Sequence, residues 1–191
     1  MNITHPPYAF PQDFHYAISL ERHLDDLPVH SLIVANLGAG SPETAFTPQI
    51  CALPFNTLFQ VEIHQPYLEA LSELFYETPF VYFALEDIRR WTPPCPIDVL
   101  LCCDVLEHLS KEDGLTTLKR LSRYVTKRIL IWMPMGECAQ EEYDGNSHQE
   151  HKSQWTPEDF ACFDNVSIEY YRAFHKHIEP NADAAWIEIN V

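Results

Sequence analysis

Leu32-Ile33-Val34-Ala35-Asn36-Leu37-Gly38-Ala39-Gly40-Ser41-Pro42 is the stretch whose reading decides the fold. Residues 32–37 form an almost continuous run of apolar and β-favouring side chains, the pattern of a strand buried on both faces. Gly38-x-Gly40 follows at once, and glycines there let the backbone turn tightly and approach a ligand closely. Ser41 suits an N-cap and Pro42 the first helical position, so a helix is expected to begin at this turn. Pro48 then predicts that this helix is short or kinked.

Outward from this unit, strand patterns recur at 58–62, 80–84, 97–103 and 128–133, with helical material between most of them. The clearest helices are 66–76 and 110–125; Ser110 stands three residues before Asp113, a capping-box-like start, and Leu115, Leu118 and Leu121 supply an apolar face. Residues 13–27 read as an earlier helix with Ile18, Leu24 and Leu27 on its apolar stripe, closed by Pro28. Two last strands, near 165–172 and 184–191, have no helix between them and should form an antiparallel hairpin. Strands alternating with helices require a parallel sheet, because a parallel pair needs a crossover. The expected fold is a single doubly wound, Rossmann-like α/β domain, with a mostly parallel seven-stranded sheet and a C-terminal antiparallel strand. Within 1–191, residues 1–30 are expected to be an arm and helix, 31–133 a ligand-binding core, 134–164 a lid or substrate segment, and 165–191 the hairpin. Ligands in such sheets bind at the carboxyl ends of the strands, where strand order reverses.

Composition narrows the function. Apolar residues at 46% are enough for a packed core, which excludes a disordered segment. Twelve Lys and Arg against 28 Asp and Glu give a net charge of −16, which argues against nucleic acid or an anionic membrane as partner. No apolar run reaches the length of a membrane span, and the start has no secretory pattern, so a cytoplasmic location is expected. Cys51, Cys95, Cys102, Cys103, Cys138 and Cys162 form no Cys-x-x-Cys pair and read as reduced thiols.

Acidic residues mark the strand ends. Glu62 closes the second expected core strand, 22 residues past Gly40, where nucleoside-binding folds place an acid on ribose hydroxyls. Asp87 follows the third, placed to accept from an adenine amino group while Ile88 flanks the ring. From His23 to Ile88 there is no Lys or Arg, and Glu43 stands where a dinucleotide fingerprint has its third glycine. A pyrophosphate is thus disfavoured. S-adenosylmethionine has no phosphate and carries a sulfonium and an ammonium against one carboxylate, which suits a field of acids.

Val34 to Gly40, Val61-Glu62, Glu86-Asp87-Ile88 and the run Asp98 to Leu109, taken in order, resemble the class I S-adenosylmethionine-dependent methyltransferases. The resemblance covers about residues 30–135, and the tail is similar to the strand pair that ends that fold. It implies that Gly38 and Gly40 lie under the methionine part, that Glu62 holds the ribose, and that Asp87 and Ile88 hold the adenine. The acid usual two residues before the first glycine is Asn36, which can still hydrogen-bond the ammonium, and Pro42 replaces the loop's third small residue.

Methyl transfer is an in-line displacement that needs an aligned acceptor, exclusion of water and sometimes a base. Asp104 and His108, leaving the fourth core strand, are the catalytic candidates. Asp104-x-x-Glu107-His108, with a later His151 ahead of Trp155, is similar to the metal motif of some O-methyltransferases, small-RNA 2′-O-methyltransferases among them. That similarity implies Asp104, Glu107, His108 and His151 as ligands of a divalent ion; the competing reading is that Glu107 and His108 merely open the following loop. His148 and the pair His175-x-His177 read as solvent-facing. Tyr8, Phe10 and Phe14 of the arm could complete the cover. The leading expectation is methyl transfer to O or N of a small acceptor. A catalytically silent cofactor-binding or scaffolding domain is the alternative, and a nicotinamide-dependent oxidoreductase stands behind it.

Overall fold

The computed structural model describes residues 1–5, 16–44, 46–78, 80–175 and 182–191. Along the chain come β1 (Asn2–Thr4), α1 (Tyr16–Arg22), β2 (Ile33–Leu37), α2 (Thr47–Ala52), β3 (Thr57–Glu62), α3 (Gln65–Leu74) and β4 (Val81–Leu85). Then follow β5 (Ile97–Cys103), α4 (Lys111–Leu121), β6 (Val125–Met135), β7 (Val166–His175) and β8 (Ala182–Asn190). All eight strands join one sheet in the order β1-β7-β8-β6-β5-β2-β3-β4. Only β8 runs antiparallel to its neighbours; the remaining pairs are parallel. The sheet is therefore mixed and mostly parallel, as expected, but it has eight strands where the sequence predicts seven. The addition is β1, whose register Asn2↔Ser167 to Thr4↔Glu169 covers the edge of β7. A three-residue exposed strand carries no periodicity by which to read it.

Period-two alternation sorts the core. Along β5, Leu100 and Cys102 enter one apolar cluster with Leu118 and Leu121 of α4, while Val99, Leu101 and Cys103 enter the other with Leu20, Leu24 and Ile50. Helices thus cover both faces, and strands buried on both sides explain the unbroken apolar runs. The chain reverses direction across the sheet at β2, with β3 and β4 on one side and β5 and β6 on the other. Pairings Leu37↔Val61 and Leu37↔Cys102 bring the carboxyl ends of β2, β3 and β5 level.

Two local expectations are corrected. No helix starts at Ser41: residues 42–44 and 46 are turn and bend, and α2 begins at Thr47 with Pro48 near its N-terminus. Pro48 fixes the start of the helix and does not interrupt it, because proline is tolerated in the first turn, where its missing N–H is no loss. Among the described residues the early helix is Tyr16–Arg22, ending short of the expected 27, with Leu24 buried in the turn beyond it; residues 13–15 lie outside the described residues. Ile18's side chain, the arm residues Tyr8, Phe10 and Phe14, and His177 lie outside the described residues. By contrast α4 has the expected cap, with the Asp113 amide donating to Ser110 Oγ at 3.1 Å. All six cysteines are free thiols, and among the described residues no helix is long and apolar enough to cross a membrane.

Candidate active site

A cavity of about 530 Å³ opens at the carboxyl ends of β2, β3, β5 and β6. Its lining includes Asn36, Gly38, Gly40, Glu62, Asp87, Ile88, Asp104, Glu107, His108 and His151, so all the sequence candidates meet in one space. Gly38 and Gly40 have φ of +59° and +68°, the left-handed region that a Cβ resists. A Cβ on Gly38 would also stand 2.5 Å from Val105 Cγ2. The turn is held from below by the Thr47 hydroxyl, which donates to the Ala39 carbonyl.

Glu62 is buried and anchors this turn. Its Oε2 accepts from the Gly40 amide at 2.8 Å, and its Oε1 accepts from the amides of Ile63 (2.9 Å) and His64 (2.8 Å). A carboxylate has about four lone-pair sites, so about one remains for a ligand. Asn36, also buried, donates from Nδ2 to Gln60 Oε1 at 2.8 Å, which turns its own carbonyl oxygen to other use. Gln60 in turn donates to Cys51 Sγ. Asp87 is embraced by Arg89, whose Nε and Nη2 reach its carboxylate at 3.0 and 2.6 Å. That hydrogen-bonded guanidinium holds the Asp87 carboxyl below its usual range. Sequence alone does not single out Arg89, because spacing says little about which way a guanidinium turns.

The opposite wall leaves β5. Asp104 adopts φ +53°, a conformation Asp tolerates better than most residues, and its amide donates to the Trp132 carbonyl at 2.8 Å. Its side chain lines the cavity, and desolvation by the surrounding walls raises its pKa to about 7. Glu107 lies in the 3₁₀ turn Leu106–His108, is 2% exposed, and has a buried Oε2 with no hydrogen-bond partner. Burial, and then the charge of Asp104, push its pKa well up.

The segment after β6 returns over this wall. Gly136 and Trp155 pair at its base, and the amides of Lys152 and Ser153 both donate to the Glu107 carbonyl, at 2.7 and 3.1 Å. This docking delivers His151. One ligand-competent atom from each of Glu107, His108 and His151 lies within 4.8 Å of the others. His108 Nδ1 meets the Glu150 carbonyl at 3.2 Å, and His151 Nδ1 meets that of Cys138, which leaves each Nε2 as the lone-pair donor. Burial lowers both histidines, His108 to about 4, so both rings are neutral near pH 7, the form that binds a cation. An orphaned buried carboxylate oxygen beside two oriented neutral imidazoles fits a divalent ion. Asp104 is outside this trio, so its expected place as a fourth ligand is not supported by the geometry.

Tyr67 of α3 is buried, and its burial, with the nearby charge of Asp144, raises its hydroxyl pKa. One further expectation is overturned: His175 is half-buried and lines the cavity, where the sequence reading made it surface.

No family model and no curated protein matches this chain. Solved structures do. The N-terminal domain of EvdMO1, crystallised with SAH and D-fucose, has 14% identity over 94% of this chain and 84% of its own, with a TM-score of 0.68. An S-adenosylmethionine-dependent methyltransferase from Clostridium acetobutylicum gives 12% identity, 94% and 93% coverage, and a TM-score of 0.66. The methyltransferase domain of bacterial CtHen1-CN gives 14% identity, 93% and 98% coverage, and a TM-score of 0.63. By sheet order and by these neighbours, the chain has the fold of the class I S-adenosylmethionine-dependent methyltransferases.

Proposed function

We propose that this protein transfers the methyl group of S-adenosylmethionine to an oxygen or nitrogen of a small acceptor. The observation that carries this reading is the meeting of two chemically different walls in one cavity. One wall has a left-handed glycine turn with Glu62 and Asp87; the other has Asp104, Glu107, His108 and His151. On the first wall, Glu62 accepts from a ribose hydroxyl, Asp87 from the adenine amino group with Ile88 under the ring, and the Asn36 carbonyl from the ammonium. Gly38 and Gly40 let the backbone approach the methionine part. The neighbours crystallised with SAH support the choice of cofactor. The second wall holds the acceptor in line with the sulfonium, so that the methyl passes to O or N as the C–S electron pair returns to sulfur.

Glu107, His108 and His151 would hold a divalent ion, and the chemistry such an ion supplies is a lowered pKa of an acceptor hydroxyl. Asp104, poised near neutrality, is then the carboxylate beside the acceptor able to take or hold a proton. A net charge of −16 supports an acceptor other than nucleic acid, since phosphate binding needs clustered cations. A reduced, cytoplasmic setting completes the proposal and is consistent with six free thiols.

Calorimetric titration with S-adenosylmethionine, its demethylated product and NADH tests the reading. Binding of the first two, with none of NADH, is expected; binding of NADH alone would hand the cavity to the oxidoreductase alternative. The silent-domain alternative is tested by turnover of a catechol such as 3,4-dihydroxybenzoate with and without chelator.

A further inference from the structure

Strand β7 departs from regular pairing near its end. Its pairing with β8 runs Tyr171↔Ala184 and then His175↔Ala182, so residues 172–174 stand opposite Asp183 alone. Within this bulge Ala173 has φ +49°, a left-handed conformation that is costly for a residue with a Cβ. The distortion is anchored: one Asp183 carboxylate oxygen accepts from the Ala173 amide, and the other accepts from the Tyr170 hydroxyl at 2.8 Å. Its effect is on side-chain direction. Tyr171 and Phe174, three apart, pack together against Trp132, which alternation by twos forbids in a regular strand. By taking up two extra residues the bulge sets His175, where a regular ladder would set Ala173, opposite Ala182, and there it joins the cavity lining.

Bulges beside functional sites re-aim side chains in this way, and the inference runs from the observed strain to a role. The place of His175 says which role. The cofactor-side residues leave β2, β3 and β4, whereas β7 lies beyond β6 on the far side of the sheet. Resting on the methyltransferase reading, we propose that His175 is an acceptor-site residue. Its imidazole forms the wall that faces the transferable methyl and hydrogen-bonds the acceptor's oxygen or nitrogen, and the Asp183-anchored bulge is the device that sets it there.

The test needs no identified acceptor. Protein saturated with S-adenosylmethionine carrying a ¹³C-labelled methyl is examined for nuclear Overhauser contacts from that methyl to histidine ring protons. A contact that vanishes in His175→Gln is expected, with cofactor affinity within twofold of the parent. Asp183→Ala should lose the same contact at unchanged cofactor affinity, and Asp183→Asn, which keeps an acceptor oxygen for the Ala173 amide, should restore it. A bound methyl that contacts other cavity residues but not His175 overturns the inference. Failure of the cofactor to bind in the prior titration defeats the methyltransferase reading instead, so the two failures are told apart.

Discussion

Replacing Glu62 by Gln is the substitution whose effect can be worked most fully. The carboxylate is 5% exposed and already accepts from three backbone amides, those of Gly40, Ile63 and His64. With about four lone-pair sites in all, about one is left for the ribose. The geometry leaves room for one charge-assisted bond to the ribose. Such a bond contributes about 1.5–3 kcal/mol, equivalent to roughly a 10- to 150-fold change in dissociation constant. In the Gln variant the carbonyl oxygen can keep the amides of Ile63 and His64, but the NH₂ then faces the Gly40 amide, donor against donor. The loop loses an anchor as well as a ligand contact, and an unsatisfied buried amide costs about 1–3 kcal/mol of stability. Titration with S-adenosylhomocysteine and urea unfolding should therefore move together, with affinity falling by the stated factor. A folded Gln variant that binds with parental affinity would refute the reasoning and move the ribose away from Glu62.

Three other outcomes follow from the same geometry. Gly38→Ala places a Cβ 2.5 Å from Val105 Cγ2 at φ +59°, so a loss of about 2–4 kcal/mol in urea unfolding is expected from overpacking and backbone strain together; adding Val105→Ala should recover only the overpacking part, and full recovery would show that the left-handed turn carries no strain. Equilibrium dialysis should load about one Mn²⁺ per chain, with His151→Ala weakening it at least tenfold while S-adenosylhomocysteine affinity stays within twofold; equal uptake by the variant retires the ion. The third concerns His23, which lies between Glu169 and Glu188 at 3.3 and 3.1 Å; burial opposes its protonation, but the two carboxylates outweigh burial and raise its pKa. The native state therefore holds this proton more tightly than the unfolded chain, so its stabilisation is complete below the unfolded value of about 6.5 and is lost as pH rises through the raised native value. Unfolding free energy should decline over that window in the parent and run flatter in His23→Gln; identical slopes would dismiss the linkage.

Much of the fold is legible because its strands are buried on both faces. Val34, Ala35 and Leu37 of β2, and Val99 to Cys102 of β5, have to be apolar whatever their partners, and helices with their own faces and caps separate several of them. Strand β1 escapes notice because an exposed edge of three residues makes no demand on side-chain polarity. The helix expected at Ser41 fails for a different reason. Capping residues suit a turn as well as a helix start, and here Ser41 and Thr44 close a turn of their own ahead of Thr47.

The candidate site divides in the same way. Residues fixed to a strand's carboxyl end, such as Gly38, Gly40, Glu62 and Asp104, are readable because parallel topology dictates where those ends gather. Pairing of Asp87 with Arg89 and of Asn36 with Gln60 depends on side-chain direction, which one-dimensional spacing constrains only weakly. His151 joins Glu107 and His108 because the amides of Lys152 and Ser153, 45 and 46 residues on from Glu107, dock on its carbonyl. His175 shows the limit most plainly. Alternation along β7 is a local rule, and a bulge held by Asp183 from the neighbouring strand breaks it. The sequence by itself determined the class of fold and the cofactor-side strand ends, since burial and topology act on residue type. Only the tertiary structure decided which imidazoles line the cavity, because the segment after β6 and the bulge in β7 are placed by contacts between segments far apart in the chain.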